Sequence, residues 1–94
     1  MIKEYLSTVP LPVNTADQTI TEIMAQRPLG LSILHVYQTV ATQVGMPANQ
    51  AFTIMFLRFS TTTGVALAIS HTLNSASLYK TSLVGTEWGE WLAI

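Results

Sequence analysis

The sequence has no cysteine and very little charge. The first absence excludes disulfides, Cys-ligated metals and Cys-held iron–sulfur clusters, and it leaves the redox compartment unspecified. Of 94 residues, four are Lys or Arg and five are Asp or Glu, which is 10%, against a usual share of about 25%. The net charge of −1 gives no electrostatic basis for binding nucleic acid. No nucleotide-binding fingerprint, internal repeat or low-complexity tract is present. The opening Met1-Ile2-Lys3-Glu4-Tyr5 has neither the apolar core of a signal peptide nor an Arg/Ser-rich transit pattern. Any membrane insertion is therefore expected to use an internal segment.

What the chain has instead is apolar surface. Hydrophobic residues make up 49% of it, and the mean hydropathy is +0.40. A chain of this length supports one small domain at most, with a large surface for its volume. Nine charges cannot cover that surface, so lipid or protein partners are expected to cover much of it. Composition thus points to one part of a larger membrane complex rather than a soluble enzyme acting alone. Charge is also absent in blocks: none lies between Arg27 and Arg58, and none between Arg58 and Lys80.

Residues 1–14, with Pro10, Pro12 and Asn14, are expected to form an extended arm. An amphipathic helical region is expected over 15–46. Thr15 can cap a short helix, with Gln18 completing a capping-box pattern, and Ile20, Ile23 and Met24 share one face. After Pro28 and Gly30, a second amphipathic helix is expected from about Leu31 to Val44, with Ile33, Val36, Tyr37, Val40 and Val44 as its apolar stripe. Gly45-Met46-Pro47 breaks it. A transmembrane helix is expected within 47–78, since Ala51 to Leu73 supplies the roughly 20 mostly apolar residues a span needs. Residues 79–94 then form an interfacial tail, in which Tyr79, Lys80, Trp88 and Trp91 serve either as interface anchors or as packing at a subunit contact. The fold class expected is all-α, with one main transmembrane helix preceded by two amphipathic helices. Lys3, Arg27 and Arg58 on one side against Lys80 on the other put the N-terminus in the cytoplasm or matrix.

Three features of the expected span go beyond a plain anchor. Ser60, Gly64, Ala68, Thr72 and Ala76 recur at every fourth position, the spacing of a low ridge along which helices pack closely; small residues are also common in such helices without that role. Arg58 sits about two turns inside the apolar stretch, where a charge costs at least about 2.5–3.5 kcal/mol at mid-membrane. It must snorkel to lipid phosphates, pair with an acid or face a polar ligand such as a quinone carbonyl or haem propionate. His71 lies roughly 20 Å further along a helical axis, on the small-residue face. There it is either a hydrogen-bonded contact residue or a haem ligand. His35, beside the preceding stripe, is expected at an interface.

Arg27-Pro28-Leu29, followed by Leu34-His35-Val36-Tyr37-Gln38, resembles the opening signature of the cytochrome b560 (C) membrane-anchor subunit of succinate dehydrogenase, respiratory complex II. Thr53-Ile54-Met55-Phe56-Leu57-Arg58-Phe59-Ser60 and Gly64-Val65-Ala66-Leu67-Ala68 are similar to the segment that opens the first transmembrane helix of that family. The likeness spans about residues 27–70. Leu57 replaces the family's His before the Arg, and Thr61 to Thr63 separate Ser60 from Gly64. Ile54 stands where the family has its quinone-contacting Ser, with Thr53 the nearest hydroxyl. The family has three transmembrane helices, and there is room here for one clear span.

The resemblance implies a shortened anchor in the mitochondrial inner membrane or a bacterial plasma membrane. Its partners would be a flavoprotein, an iron–sulfur protein, other anchor subunits and lipid. Ubiquinone would be the shared cofactor, with Arg58, Ser60 and Thr53 near its headgroup, where a guanidinium supplies fixed donors as the quinone gains negative charge. A haem b fits the family, but His71 matches none of its ligand positions. The chain itself would carry no redox chemistry. The alternative is a structural accessory subunit of another respiratory or photosynthetic complex; a small phage or viral membrane protein fits less well, without the charged tail common in holins.

Overall fold

A computed structural model describes residues 10–71, 77–85 and 87–94. Short β1 (Leu11–Val13) precedes the helix α1 (Ile20–Gln26), which is followed by β2 (Gly30–Val36) and a 3-10 turn (Gln38–Val40). The hairpin β3 (Ala51–Ser60) and β4 (Thr63–His71) comes next, then β5 (Leu78–Val84), β6 (Glu87–Trp88) and β7 (Leu92–Ala93). The strands form one sheet in the order β1-β2-β3-β4-β5-β6, with β7 also on β5. β1 runs parallel to β2, and every other pairing is antiparallel.

The expected all-α, single-span architecture is corrected by this sheet. Among the described residues, no helix is long and apolar enough to cross a membrane. The stretch expected as the span is the β3–β4 hairpin, reversed by a two-residue loop at Thr61-Thr62. The stretch expected as the second amphipathic helix is β2 and the 3-10 turn, and the expected C-terminal tail is β5 to β7. The physical reason is side-chain periodicity. From Gly64 to His71 the residues alternate small and large, which is the period of a strand rather than of a helix. The presumed helix-packing ridge is half of this pattern: Gly64 and Ala68 share a buried face with Ala66 and Ser70, while Ser60 closes β3 at the turn. Thr72 and Ala76 lie outside the described residues.

Register makes the inner face a set of size-matched pairs. Phe52 stands opposite Ser70, Ile54 opposite Ala68, Phe56 opposite Ala66 and Arg58 opposite Gly64. The large members Phe52, Ile54 and Phe56 are fully buried and gain width above their small partners. α1 lies over this face through Ile20 and Met24, joined by Val40, Ala41, Val44 and Met46 from the segment after β2. Trp88 folds over the end of the sheet, edge-on to Phe56 with ring centroids 5.9 Å apart. Tyr79 similarly meets Phe52 at 5.8 Å. Trp88 is thereby a core residue.

The helix start also differs from the sequence expectation. The cap is Thr19 rather than Thr15: the Glu22 amide donates to Thr19 Oγ1 at 3.3 Å, and the Thr19 amide donates back to Glu22 Oε1 at 3.0 Å. This is the same box chemistry, four residues later, where Ile20 and Met24 can both turn inward. The Thr19 amide first, and then the Thr19 hydroxyl, which also donates to Glu22 Oε1 at 3.0 Å, hold the Glu22 carboxyl below the usual carboxylate value.

Two predictions follow the packing and the cap. At Gly64, a Cβ would sit 2.8 Å from the Leu57 carbonyl oxygen and 3.1 Å from the Trp88 ring. Gly64→Ala should therefore destabilise the fold by about 1–3 kcal/mol, since overpacking outweighs the gain from replacing a strand glycine; the urea midpoint measures it. Because the Glu22 pKa is lowered on folding, its contribution is complete above the ordinary glutamate value of about 4.3 and is lost as pH falls through the lowered one. Urea midpoints across the acid range should fall less steeply for Glu22→Gln than for the native chain.

Candidate interaction face and its polar corner

The three residues expected at a quinone headgroup are not brought together. Thr53 and Arg58 are an odd number of positions apart on β3 and so point to opposite sides of the sheet. Ser60 lies at the hairpin turn, where its Oγ accepts from the Thr62 amide at 3.2 Å. Roughly 23 Å of strand separates it from Thr53.

Arg58 has a structural employment. Its Nη1 donates to the carbonyls of Ala25 at 3.0 Å and Arg27 at 2.7 Å. These oxygens lie at the C-terminal end of α1, where helix carbonyls lack intrahelical partners and the dipole is negative. No basic side chain of the helix itself occupies the last turn. A guanidinium from the middle of the sheet supplies the missing charge and ties helix to sheet. The need for a partner, inferred from an arginine in an apolar run, is met by backbone carbonyls.

The outer face of the sheet is where the sequence places unusual chemistry. Three rows run across β2, β3, β4 and β5: Leu31–Leu57–Val65–Ser82, Ile33–Met55–Leu67–Lys80, and His35–Thr53–Ile69–Leu78. An antiparallel sheet with one solvated side normally alternates apolar with polar residues. Here both sides are apolar. Leu31 is 51% exposed, Val65 50% and, at the hairpin end, Phe59 60%. A shallow apolar depression of about 240 Å³ is bordered by Leu31, Met55, Leu57, Val65 and Leu67. Lys80 is the only formally charged residue in the three rows.

One corner of this face is polar. The Thr53 hydroxyl and His71 Nε2 share a hydrogen bond. His35 meets His71 edge-on at 5.4 Å between centroids, and Tyr37 at 5.1 Å. A hydroxyl beside an imidazole is the start of a nucleophile–base pair. Among the described residues no carboxylate hydrogen-bonds either ring, and no group of three or more His, Asp or Glu is gathered for a metal. The corner offers hydrogen bonds and two flat rings at the margin of an apolar field. His71, weighed as a haem ligand against a helical partner, has its Nε2 engaged by Thr53 on a strand. His35 is half-buried on the outer side of β2, next to Thr53 and His71, which register brings close.

The remaining concavities are troughs. One, of about 610 Å³, runs between Thr19–Thr21, Val44–Pro47 and the Glu87–Trp91 segment. Its carboxylates, Glu87 and Glu90, are exposed. A cleft of about 350 Å³ separates residues 11–18 from α1. The cleft is lined largely by polar side chains, Asn14, Thr15, Asp17, Gln18, Gln26 and Arg27.

Compared with protein families, curated proteins and solved structures, the chain matches none. Sequence relationship therefore adds nothing to what the side chains show.

Replacing Arg58 tests its place. Arg58→Met should lower stability by about 1.5–3 kcal/mol, the range for hydrogen bonds from a charged donor, and Arg58→Lys by less. Urea unfolding followed by circular dichroism measures both.

Proposed function

We propose that this chain is a non-catalytic assembly subunit, whose outer sheet face is covered in its working state by another apolar protein surface. One observation carries this: Leu31, Ile33, Met55, Leu57, Val65, Leu67, Ile69 and Leu78 occupy most of three consecutive cross-strand rows. Contiguous apolar patches of this kind on small proteins mark interaction sites. The face is broad, shallow and nearly uncharged, which suits packing against a second surface better than enclosing a small substrate. The Thr53–His71–His35–Tyr37 corner supplies directional contacts at the edge of such an interface.

This retains the coarser part of the sequence expectation, a subunit of a larger assembly. The finer part, an anchor of succinate:ubiquinone oxidoreductase in a mitochondrial or bacterial membrane, drew its physical support from a helix carrying Arg58, Ser60 and Thr53 on one apolar span. With Arg58 engaged by α1 and Thr53 on the opposite side of β3, that support is gone. The quinone, haem and flavoprotein partners have no further observation behind them.

Oxidative footprinting checks the covered face. Met55 is on the outer face, while Met24 and Met46 are in the core. In the assembled chain, hydrogen peroxide should oxidise Met55 several-fold more slowly than a methionine in a peptide, and Val65→Glu should abolish this protection. The native circular dichroism spectrum should be retained. Met55 oxidising at the peptide rate in every preparation would refute a covered face.

A further inference from the structure

We infer that the surface covering the outer face is the same face of a second copy, packed sheet on sheet about a two-fold axis. This rests on the assembly reading above and names its partner. The first argument is size. Four strands spaced about 4.8 Å apart and seven residues long present roughly 450 Å² in projection. Side-chain relief, with Tyr37 and Pro12, the register partner of His35, at the margin, raises the accessible area toward the approximately 800 Å² that each side of a standard interface contributes. A single docked helix or strand would cover only a strip of this field, whereas a second sheet of equal dimensions covers it whole.

The second argument is charge. A partner recognised by charge would be matched by charges here, and the three rows carry one, Lys80, on β5 beside Leu92 of β7. The other polar groups are Thr53, Ser82 and the imidazole of His35, with His71 and Tyr37 beyond the third row. A neutral face meets its own copy without like-charge repulsion at the centre. A two-fold axis running along the strands between Met55 and Leu67 puts each Lys80 opposite the β2 side of the other copy, where no formal charge stands in the three rows. There its ammonium can reach the rim.

The third argument is shape. Outer pairs of β3 and β4 are large against large, Met55–Leu67 and Leu57–Val65, so the face stands in ridges about 7 Å apart along the strands. Two identical twisted sheets interlock such ridges when crossed at the roughly 30° of aligned packing. Such an interface is isologous and closes at two copies.

Sedimentation velocity on the purified full chain tests this. At about 10–100 µM the expected species has twice the chain mass of 10.3 kDa. Val65→Glu and Leu67→Lys, each checked for a native circular dichroism spectrum, should weaken association at least about a hundredfold, because each buries an unpaired charge against its own symmetry mate. Should Leu67→Lys misfold, Val65→Ser at the more exposed position should still shift the equilibrium toward monomer. A dimer that survives both charged substitutions overturns the inference. So does a monomer that takes up an apolar dye at this face, or one that sediments with phosphatidylcholine vesicles; these outcomes leave the face exposed and assign it to a different protein or to lipid. A monomer that takes up no dye and shows Met55 oxidised at the peptide rate refutes the assembly reading itself.

Discussion

The size match across the β3–β4 hairpin is the constraint on which the other contacts depend. Gly64, Ala66, Ala68 and Ser70 stand opposite Arg58, Phe56, Ile54 and Phe52. If β4 slipped by one residue, Val65, Leu67 and Ile69 would enter a layer already filled by two phenylalanines and an isoleucine, and the small residues would face outward. With the register fixed, α1 can rest on the inner face through Ile20 and Met24. Arg58 then stands where it reaches the last carbonyls of the helix, and Trp88 can lie against the bare backbone of Gly64. The same alternation dictates the outer surface: every small residue turned inward on β4 sends a large one out.

Part of this was legible in the sequence. Scarce charge correctly implies apolar surface beyond one small core, but it does not say whether lipid or a second layer of protein is meant to cover it. The charge-free runs 28–57 and 59–79 fit a span, and they fit equally a pair of strands apolar on both faces. The every-fourth-residue spacing is ambiguous for a geometric reason. Positions i and i+4 share a face in a helix and also in a strand, so Gly64 and Ala68 satisfy both. The discriminating positions are those between. Ala66 and Ser70 continue the small set at i+2, while Val65, Leu67 and Ile69 do not, and only a strand separates them. The three threonines at 61–63, awkward in a helix because of their branched side chains, sit at the hairpin reversal and the start of β4.

The polar corner was no more legible than the fold. Thr53 and His71 were each singled out, but for unrelated reasons, and what joins them is strand pairing across 18 positions of sequence. Nothing local to either residue signals it. Arg58 was recognised as needing a partner, yet the partners are backbone carbonyls of a helix over 30 residues earlier, which carry no residue-type signature. His35 and Tyr37, two apart on β2, could have been placed on one face had the stretch from Leu31 been taken as a strand. Its alternation of half-buried and buried residues at Ile33, Leu34, His35 and Val36 is masked in the sequence because both members of each pair are apolar or aromatic.

A sheet apolar on both sides changes what the stability of this chain means. The inner face has its helix, its 40–46 segment and its tryptophan, so it supplies a core to the isolated chain. The outer face gains its hydrophobic contribution only when something covers it, and that contribution depends on concentration and not on the fold alone. Substitutions on the two faces should therefore be felt differently. A change at Ala66 or Phe56 acts on folding whatever the state of assembly. In the proposed assembly, a change at Val65 or Leu67, next to Ala66 on β4, acts first on association and reaches folding only through it. In most antiparallel sheets the solvent-facing partner of a core residue is a polar position with little to lose. In the proposed assembly adjacent residues of one strand report on two different equilibria, and this is the physical consequence of an alternation that leaves both faces largely apolar.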